Sequence, residues 1–490
     1  MSFEAFGVPV LLLGFLSLFL KPAFSVYALI VLTLFGAASA ISLPALGGAN
    51  LTPASLFMPF FVIRFLLWIS PHWHRIFQTK HNPTFKWLLA FTGYAFFSVL
   101  VLAPLFAGST NVFMIDRMVA DIGEQIAEPL RFSSGYITQM AYLLAGVCVF
   151  IIVMHYKHVP GMLGHFANAI LLVAALDVAM GALDLVTQFT GTQEWMEFLR
   201  GAAYLQHAGQ SETAGLRRIS GSFSEPAAFA AYSMPLMAFC LIAWVFRLRQ
   251  VVSGPIAIVL MAMLGASTSS TAYVSLAAFL ATLLGIHVAR LYFSGGKTNR
   301  PALLLVVGGV LLAIGVIALM VPAVTDAVLD VLDQTVFNKL DSASGQERSA
   351  WNNQALINLG DTWLLGVGLG GGIASSYPLV LLSNVGVPGF VLFAGIIFTA
   401  MVPGRRAIAP TDECLAIERG ARAAIYAHLL AATISARVFD PGLLLFLMIG
   451  LSAVITRRRS RRAPARSLRN ATAQTGAAAA MAGAAAASAV

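Results

Sequence analysis

The sequence predicts an all-α, polytopic integral membrane protein with about 11 to 13 transmembrane helices. Of its 490 residues, 59% are hydrophobic and only 10% are charged. Mean hydropathy is strongly positive. The apolar residues come in continuous runs of about 17 to 25, the length that crosses a hydrocarbon core of about 30 Å at about 1.5 Å per helical residue. The other spanning solution, a closed barrel, would alternate apolar and polar residues, and these runs do not.

In chain order the spans fall near residues 5 to 20, 24 to 40, 53 to 70, 87 to 106, 137 to 155, 162 to 187, 226 to 246, 251 to 266, 272 to 289, 302 to 321, 379 to 401, 418 to 435 and 441 to 456. Only Lys21, Pro22 and Ala23 separate the first two, which is why the count is a range. No leader with a cleavage site precedes the first span, so the start is expected to be mature. Together the spans make one transmembrane domain over 1–462. From about Ala463 the chain turns Arg, Ala and Ser rich, and residues 463–490 are expected to form a disordered Ala-rich cytoplasmic tail, with RRRSRR touching anionic lipid.

The basic residues orient the spans, because Lys and Arg accumulate in short cytoplasmic loops. Of 30 Lys and Arg, 21 fall in one alternate set of loops and the tail, from Lys21 to Arg469. Eight fall in the opposite set: Arg117, Arg131, Arg200, Arg217, Arg218, Lys339, Arg348 and Arg437. The first set is expected to face the cytoplasm. Three long loops, about 107–136, 188–225 and 322–378, then face outward and carry most of the acidic residues. The net charge of +9 is thus a topology signal and not a nucleic-acid footprint. Cys148, Cys240 and Cys414 offer neither an outward pair nor a metal spacing.

Long loops between helices are where chemistry is expected. In the third, apolar residues from Val328 to Leu340 and from Glu347 to Leu359 recur at near-helical spacing, predicting short amphipathic helices on the outer interface. A glycine string follows at Gly366, Gly368, Gly370, Gly371 and Gly372, which lets backbone approach something closely. In the second, Arg217 and Arg218 precede Gly221, Phe223, Glu225 and Pro226 at the mouth of a span. Guanidinium forks suit bidentate phosphate contacts, and a helix opening at Pro226 adds free N–H groups. Outward arginines at membrane level point to an anionic amphiphile such as a lipid phosphate; the plainer reading is anchorage to headgroups.

The segment RISGSFSEP (Arg218 to Pro226) resembles the Arg-x-x-Gly-x-Phe pattern of the O-antigen ligase and Wzy-type polysaccharide polymerase superfamily. The stretch SGQERSAWNNQALINLGDTWLLGVGLGGG resembles that superfamily's Ser-Gly-x-x-x-Arg, Trp and Gly-x-Gly-x-Gly elements. LLSNVGVPG (Leu381 to Gly389) is similar to its Leu-x-Glu-x-Gly-x-x-Gly opening of a span, with Asn384 where Glu is common. The likeness covers roughly residues 210 to 450. Ligases commonly carry His-Asn where this chain has Ser375-Ser376, which favours a subgroup resembling exopolysaccharide repeat-unit polymerases. The turn STSSTAY (Ser267 to Tyr273) also looks like a polymerase feature, beside its plainer reading as self-satisfied packing.

The resemblance implies a multi-pass glycosyltransferase of the bacterial inner (cytoplasmic) membrane, with its active site facing the periplasm. Its donor and acceptor would be undecaprenyl-pyrophosphate-linked oligosaccharide, with no metal or nucleotide cofactor. A chain-length regulator (polysaccharide co-polymerase) and a flippase would be partners. The alternatives are an O-antigen ligase acting on the lipid A core and, further behind, a lipid-linked oligosaccharide flippase. On the polymerase reading, Arg218 and Arg348 stabilise the leaving pyrophosphate with Arg217 in support. Glu225 is the first choice for the base; Asp361 and Glu347 follow, and the only outer-loop histidine is His207. Gly221, Phe223, Gly368, Gly370, Ser375, Ser376 and Asn384 are candidate substrate contacts. Asp177 and Asp184, seven apart on one helix, share a face and are expected to line an acceptor cavity or to pair with Arg64, with ion coupling, which belongs to a transporter, as the alternative. His428, in a late span, is expected to be a hydrogen-bonded packing residue.

Overall fold

The computed structural model describes residues 2–43, 49–71, 73, 82–114, 127–157, 159–201, 212–213, 216–293, 343–403 and 411–453. The expected span at 302–321, the helix over Val328–Leu340, His207 and the tail at 463–490 lie outside the described residues.

The chain is an all-α, multi-pass membrane protein. Among the described residues six helices are long and apolar enough to cross a membrane: α4 (Pro83–Leu105), α5 (Ser134–Tyr156), α6 (Met162–Thr190), α7 (Pro226–Val245), α9 (Ser270–Phe293, apolar to Ala289) and α11 (Tyr377–Met401). Five shorter apolar helices accompany them: α1 (Gly7–Phe19), α2 (Pro22–Leu32, continued by a 3-10 turn to Phe35), α3 (Pro53–Ile69), α8 (Gln250–Ala266) and α13 (Leu443–Ser452). The break at Lys21 makes α1 and α2 two helices, because Pro22 lacks an N–H and suits only a first turn. Two further helices are less apolar: α10 (Ala343–Asp361) and α12 (Asp412–Ser435).

Local chemistry starts these helices where they start. Thr52, Asn82 and Thr411 each accept a backbone N–H from the first turn of α3, α4 and α12. Asp412 and Glu413 add negative charge at the positive end of α12. α7 lies at the centre and packs along α12 and α8; every residue from Ser233 to Ala243 is buried. A helix apolar on all sides is stable only when surrounded, which its neighbours achieve. α13 packs along α5 and α12, and α11 along α4.

The strands are short pairs at the loops: β1 (Ser2–Phe3), β2 (Ile41–Leu43) and β3 (Ala49–Leu51) form one antiparallel set, β4 (Asn111–Val112) pairs with β5 (Glu128–Pro129), and β6 (Glu212–Thr213) with β7 (Leu216–Arg217). Alternation of the chain direction puts the 218–225 turn and the 267–269 turn at one end of the bundle, and the Ala374 N–H, just past the glycine string, donates to the Arg437 carbonyl of the 436–442 connection. The amphipathic pattern from Glu347 is realised in α10, which buries Trp351, Ala355 and Asn358 along one face.

Candidate functional site

The turn from Arg218 to Glu225 is built by its neighbours more than by itself. Gly221 takes the left-handed region at φ +57°, and a Cβ there would stand 3.1 Å from the Phe229 ring. Oδ2 of Asp184, on α6, accepts the backbone N–H groups of Ser220 at 2.7 Å and Gly221 at 2.9 Å. Oδ1 accepts Nη2 of Arg200 at 2.5 Å, and the same guanidinium donates to the Gly221 carbonyl. Gln188 donates to the Arg218 carbonyl at 2.9 Å, and the Ser222 hydroxyl to the Leu34 carbonyl at 2.8 Å. Phe223 is buried, its ring 5.0 Å from that of Tyr232. The turn is therefore held by α6, by the residue that follows the 3-10 segment Gln193–Leu199, and by the end of α2.

Pro226 opens α7, and Glu225 is its N-cap residue in extended conformation (φ −146°, ψ 152°). Its carboxylate makes no capping hydrogen bond. Arg218 lies within electrostatic reach of Glu225, Arg348 and Tyr273. Burial holds its guanidinium below the usual range; Glu225 opposes that, Arg348 adds to it, and Tyr273 opposes it again. An arginine so placed remains charged at neutral pH. Glu225, from the same turn, and Arg348, from the helix α10 (Ala343–Asp361), thus both act on the partly buried Arg218 guanidinium. Arg217 lies in β7, its backbone paired with that of Glu212.

Arg348 is carried by α10, and Trp351 and Asn352 are the residues three and four further on, hence on the same face. Asn352 accepts the N–H of Ser375 at 2.8 Å, which brings the Ser375-Ser376 segment within a helical turn of Arg348. The guanidinium of Arg437 lies 4.7 Å from the centre of the Trp351 ring, and its carbonyl accepts the N–H of Ala374. Asp361 and Glu347 sit at the two ends of the same helix, and Glu347 is exposed. Buried Asn358 ties α10 to Thr110 and Ser383.

The glycine string approaches protein. Helix α11 breaks at Gly386 (φ 62°, ψ −171°), releasing carbonyls that the string satisfies: Val367 N–H to Ser383, and Gly368 N–H to Asn384. A Cβ on Gly366 would stand 2.5 Å from the Gly386 nitrogen, and one on Gly370 2.6 Å from the Gly135 carbonyl oxygen. Asn384 is fully buried; its oxygen accepts the N–H groups of Gly370 and Gly372, and its nitrogen donates to the carbonyls of Gly372 and Val380. Asn384, Gly368 and Gly370 thus shape the loop through contacts within the protein.

Asp177 and Asp184 share α6 but not surroundings, and neither pairs with Arg64, which donates to the Leu20 carbonyl at 2.9 Å. Asp184 serves Arg200 and the turn. Asp177, fully buried a further two turns along α6, accepts the Ser233 hydroxyl at 2.6 Å on Oδ2, while Oδ1 has no hydrogen-bond partner among the described residues. His428 lies within the helix α12 (Asp412–Ser435), and its buried Nε2 makes no hydrogen bond among the described residues.

No family model, curated protein or solved structure matches the chain.

Sequence reasoning assigned no role to Arg200, Tyr273, Trp351, Arg437 or Asp440. Arg200 and Arg437 carried one available signal, as arginines in the arginine-poor loops. Asp440, half-buried before α13, accepts the Gly442 N–H at 2.9 Å while its own N–H donates to Gln139. Burial pushes its carboxyl up to about 6, and the Gly442 hydrogen bond works the other way.

Proposed function

We propose that this protein is a membrane glycosyltransferase that polymerises undecaprenyl-pyrophosphate-linked oligosaccharide repeat units into exopolysaccharide or O-antigen, at the periplasmic face of a bacterial inner membrane. The observation that carries the reading is the convergence of Arg218, Glu225 and Arg348 at one end of a multi-pass bundle. A lipid-linked donor enters such a site from the bilayer, with its pyrophosphate at headgroup level and its sugar beyond.

The chemistry needs three things of the protein. Glu225 takes the proton of the acceptor hydroxyl as that oxygen bonds to the anomeric carbon of the donor sugar. The bond from that carbon to the pyrophosphate oxygen breaks, and its electron pair leaves with the lipid pyrophosphate. Arg218 and Arg348 neutralise the charge that grows there, and partial burial strengthens the interaction. The Asp184–Arg200 clamp keeps Arg218 and Glu225 on a fixed turn, which spares reorganisation during the step.

The test is polymerisation by purified protein in lipid, with a synthetic lipid-linked repeat unit and products sized on a gel. A ladder from wild type that is lost in Arg218→Gln, Arg348→Gln and Glu225→Gln variants that remain folded is the expected result. Movement of labelled substrate across a liposome bilayer without any ladder would replace the reading with a flippase.

A further inference from the structure

The turn between α8 and α9 reads Ser267-Thr268-Ser269, and α9 opens Ser270-Thr271. Ser267, Thr268, Ser269 and Thr271 are each no more than 3% exposed. A buried hydroxyl ordinarily bonds to a carbonyl one turn back. Ser267 does this with Leu264 at 2.8 Å, and Ser275 does it with Thr271. The hydroxyl oxygens of Thr268 and Thr271 do not; both are buried without a hydrogen-bond partner among the described residues. Thr268 also holds φ at +47°, a left-handed backbone that is rare for a β-branched residue and that persists mainly where the surroundings or a ligand demand it.

One packing contact and one electrostatic interaction locate this turn near Arg218. Met263, one helical turn before it, lies with Ile219 against Gly181: a Cβ there would stand 3.1 Å from the Met263 sulfur and 3.6 Å from the Ile219 side chain. Tyr273, two residues beyond Thr271, is within electrostatic reach of Arg218. The first-turn N–H groups of α9, with their share of the helix dipole, lie next to the two threonines in the chain, and the Arg218 guanidinium, itself opposed by Glu225, adds positive charge on this side. Such donors favour a ligand whose oxygens accept and carry negative charge. Phosphate oxygens do both.

We propose that Thr268 and Thr271 form a second wall of the anion site, donating their hydroxyl protons to oxygens of the pyrophosphate that Arg218 neutralises. This deepens the proposed function and rests on its assignment of Arg218 to pyrophosphate. The two hydroxyls are then unpartnered among the described residues because their partner arrives with the substrate.

The experiment uses the full chain in lipid nanodiscs, titrated with farnesyl pyrophosphate, inorganic pyrophosphate and farnesol by calorimetry, with a thermal melt of each protein. Thr271→Val removes a hydroxyl at constant shape, Thr271→Ser keeps it, Thr268→Ala removes the other, and Arg218→Gln is the comparator. Expected are melting of ligand-free Thr271→Val at or above the wild-type temperature, since an unpaired buried group is lost, and about tenfold weaker binding of both pyrophosphates for each hydroxyl removed. Thr271→Ser is expected to bind like wild type. If Arg218→Gln weakens binding and the threonine variants do not, this inference falls and the proposed function stands. Weakening confined to farnesyl pyrophosphate would put the contact on the alkyl chain and also overturn it. A lower melting point for Thr271→Val than for Thr271→Ser would mean that the hydroxyl is already spent in the fold, with the same result. Wild type that binds neither pyrophosphate removes the reading of Arg218 beneath it.

Discussion

Arg200 and Asp184 form a buried ion pair whose two members grip the same turn: Asp184 takes the Ser220 and Gly221 N–H groups while Arg200 takes the Gly221 carbonyl. Their side chains are 11% and 1% exposed, so neither charge can turn to water if its partner is removed. Asp184→Asn is expected to cost about 3–5 kcal/mol, the usual penalty for removing one member of a buried ion pair. The Asp184→Asn, Arg200→Gln double variant is expected to recover part of that loss. Thermal melts of both single variants and the double variant, combined as a cycle, measure the coupling; independent, additive losses would show that the pair does not act as a unit.

The glycine string makes a sharper steric prediction. Gly366 stands at φ +87° with backbone of Gly386 where a side chain would go. Gly366→Ala is expected to lower the melting temperature severely and to abolish activity. Gly360, near the end of α10 with nothing within 4 Å of its missing Cβ, is the control. Gly360→Ala is expected to stabilise by up to about 1 kcal/mol through helix propensity.

Arg218 and Arg348 should differ from lysine in activity more than in folding. Lysine keeps the charge and loses the planar fork. Arg218→Gln is expected to lower the polymerisation rate by about 100-fold or more, as for removal of a group that stabilises developing charge, with Arg218→Lys between it and wild type. Size-exclusion profiles of the same preparations check that the fold survives. Equal rates for all three would remove Arg218 from the chemistry.

Asp440 gives the protein a pH dependence of definite sign. Its folded carboxyl titrates at about 6 against an ordinary value of 3.8, so between those values the folded protein holds a proton that the unfolded chain has released. The stability that this proton contributes is fully present below about 4 and is lost as pH rises through about 6. Wild type should therefore lose melting temperature relative to Asp440→Asn between pH 4 and pH 7, with the difference constant above that. A constant difference across the whole range would place the carboxyl at its ordinary value.

The Arg437–Trp351 contact links the last connection of the bundle to the helix that carries Arg348. Arg437→Gln is expected to cost about 0.5–2 kcal/mol and to reduce activity by loosening α10, whereas Arg437→Lys should retain part of the cation–π attraction. Comparing the melts and polymerisation rates of the two variants separates lost contact from lost charge.

By itself the sequence determined the class, nearly every described span and the start of α7, because apolar length and the position of Pro226 are properties of consecutive residues. It also put Arg218 and Glu225 side by side on one turn, seven residues apart, and marked Glu347 to Leu359 as helical. Only the tertiary structure decided that Arg348 comes within reach of Arg218, that Asp184 belongs to Arg200 and not to Arg64, and that the amide of Asn384 is spent on Gly370, Gly372 and Val380. Those are choices of partner between helices distant in the chain. Local periodicity tells which face of a helix is buried; it does not tell which helix covers that face. Where charges and unpaired carbonyls must be satisfied inside a membrane protein, the packing partner decides what each polar residue does.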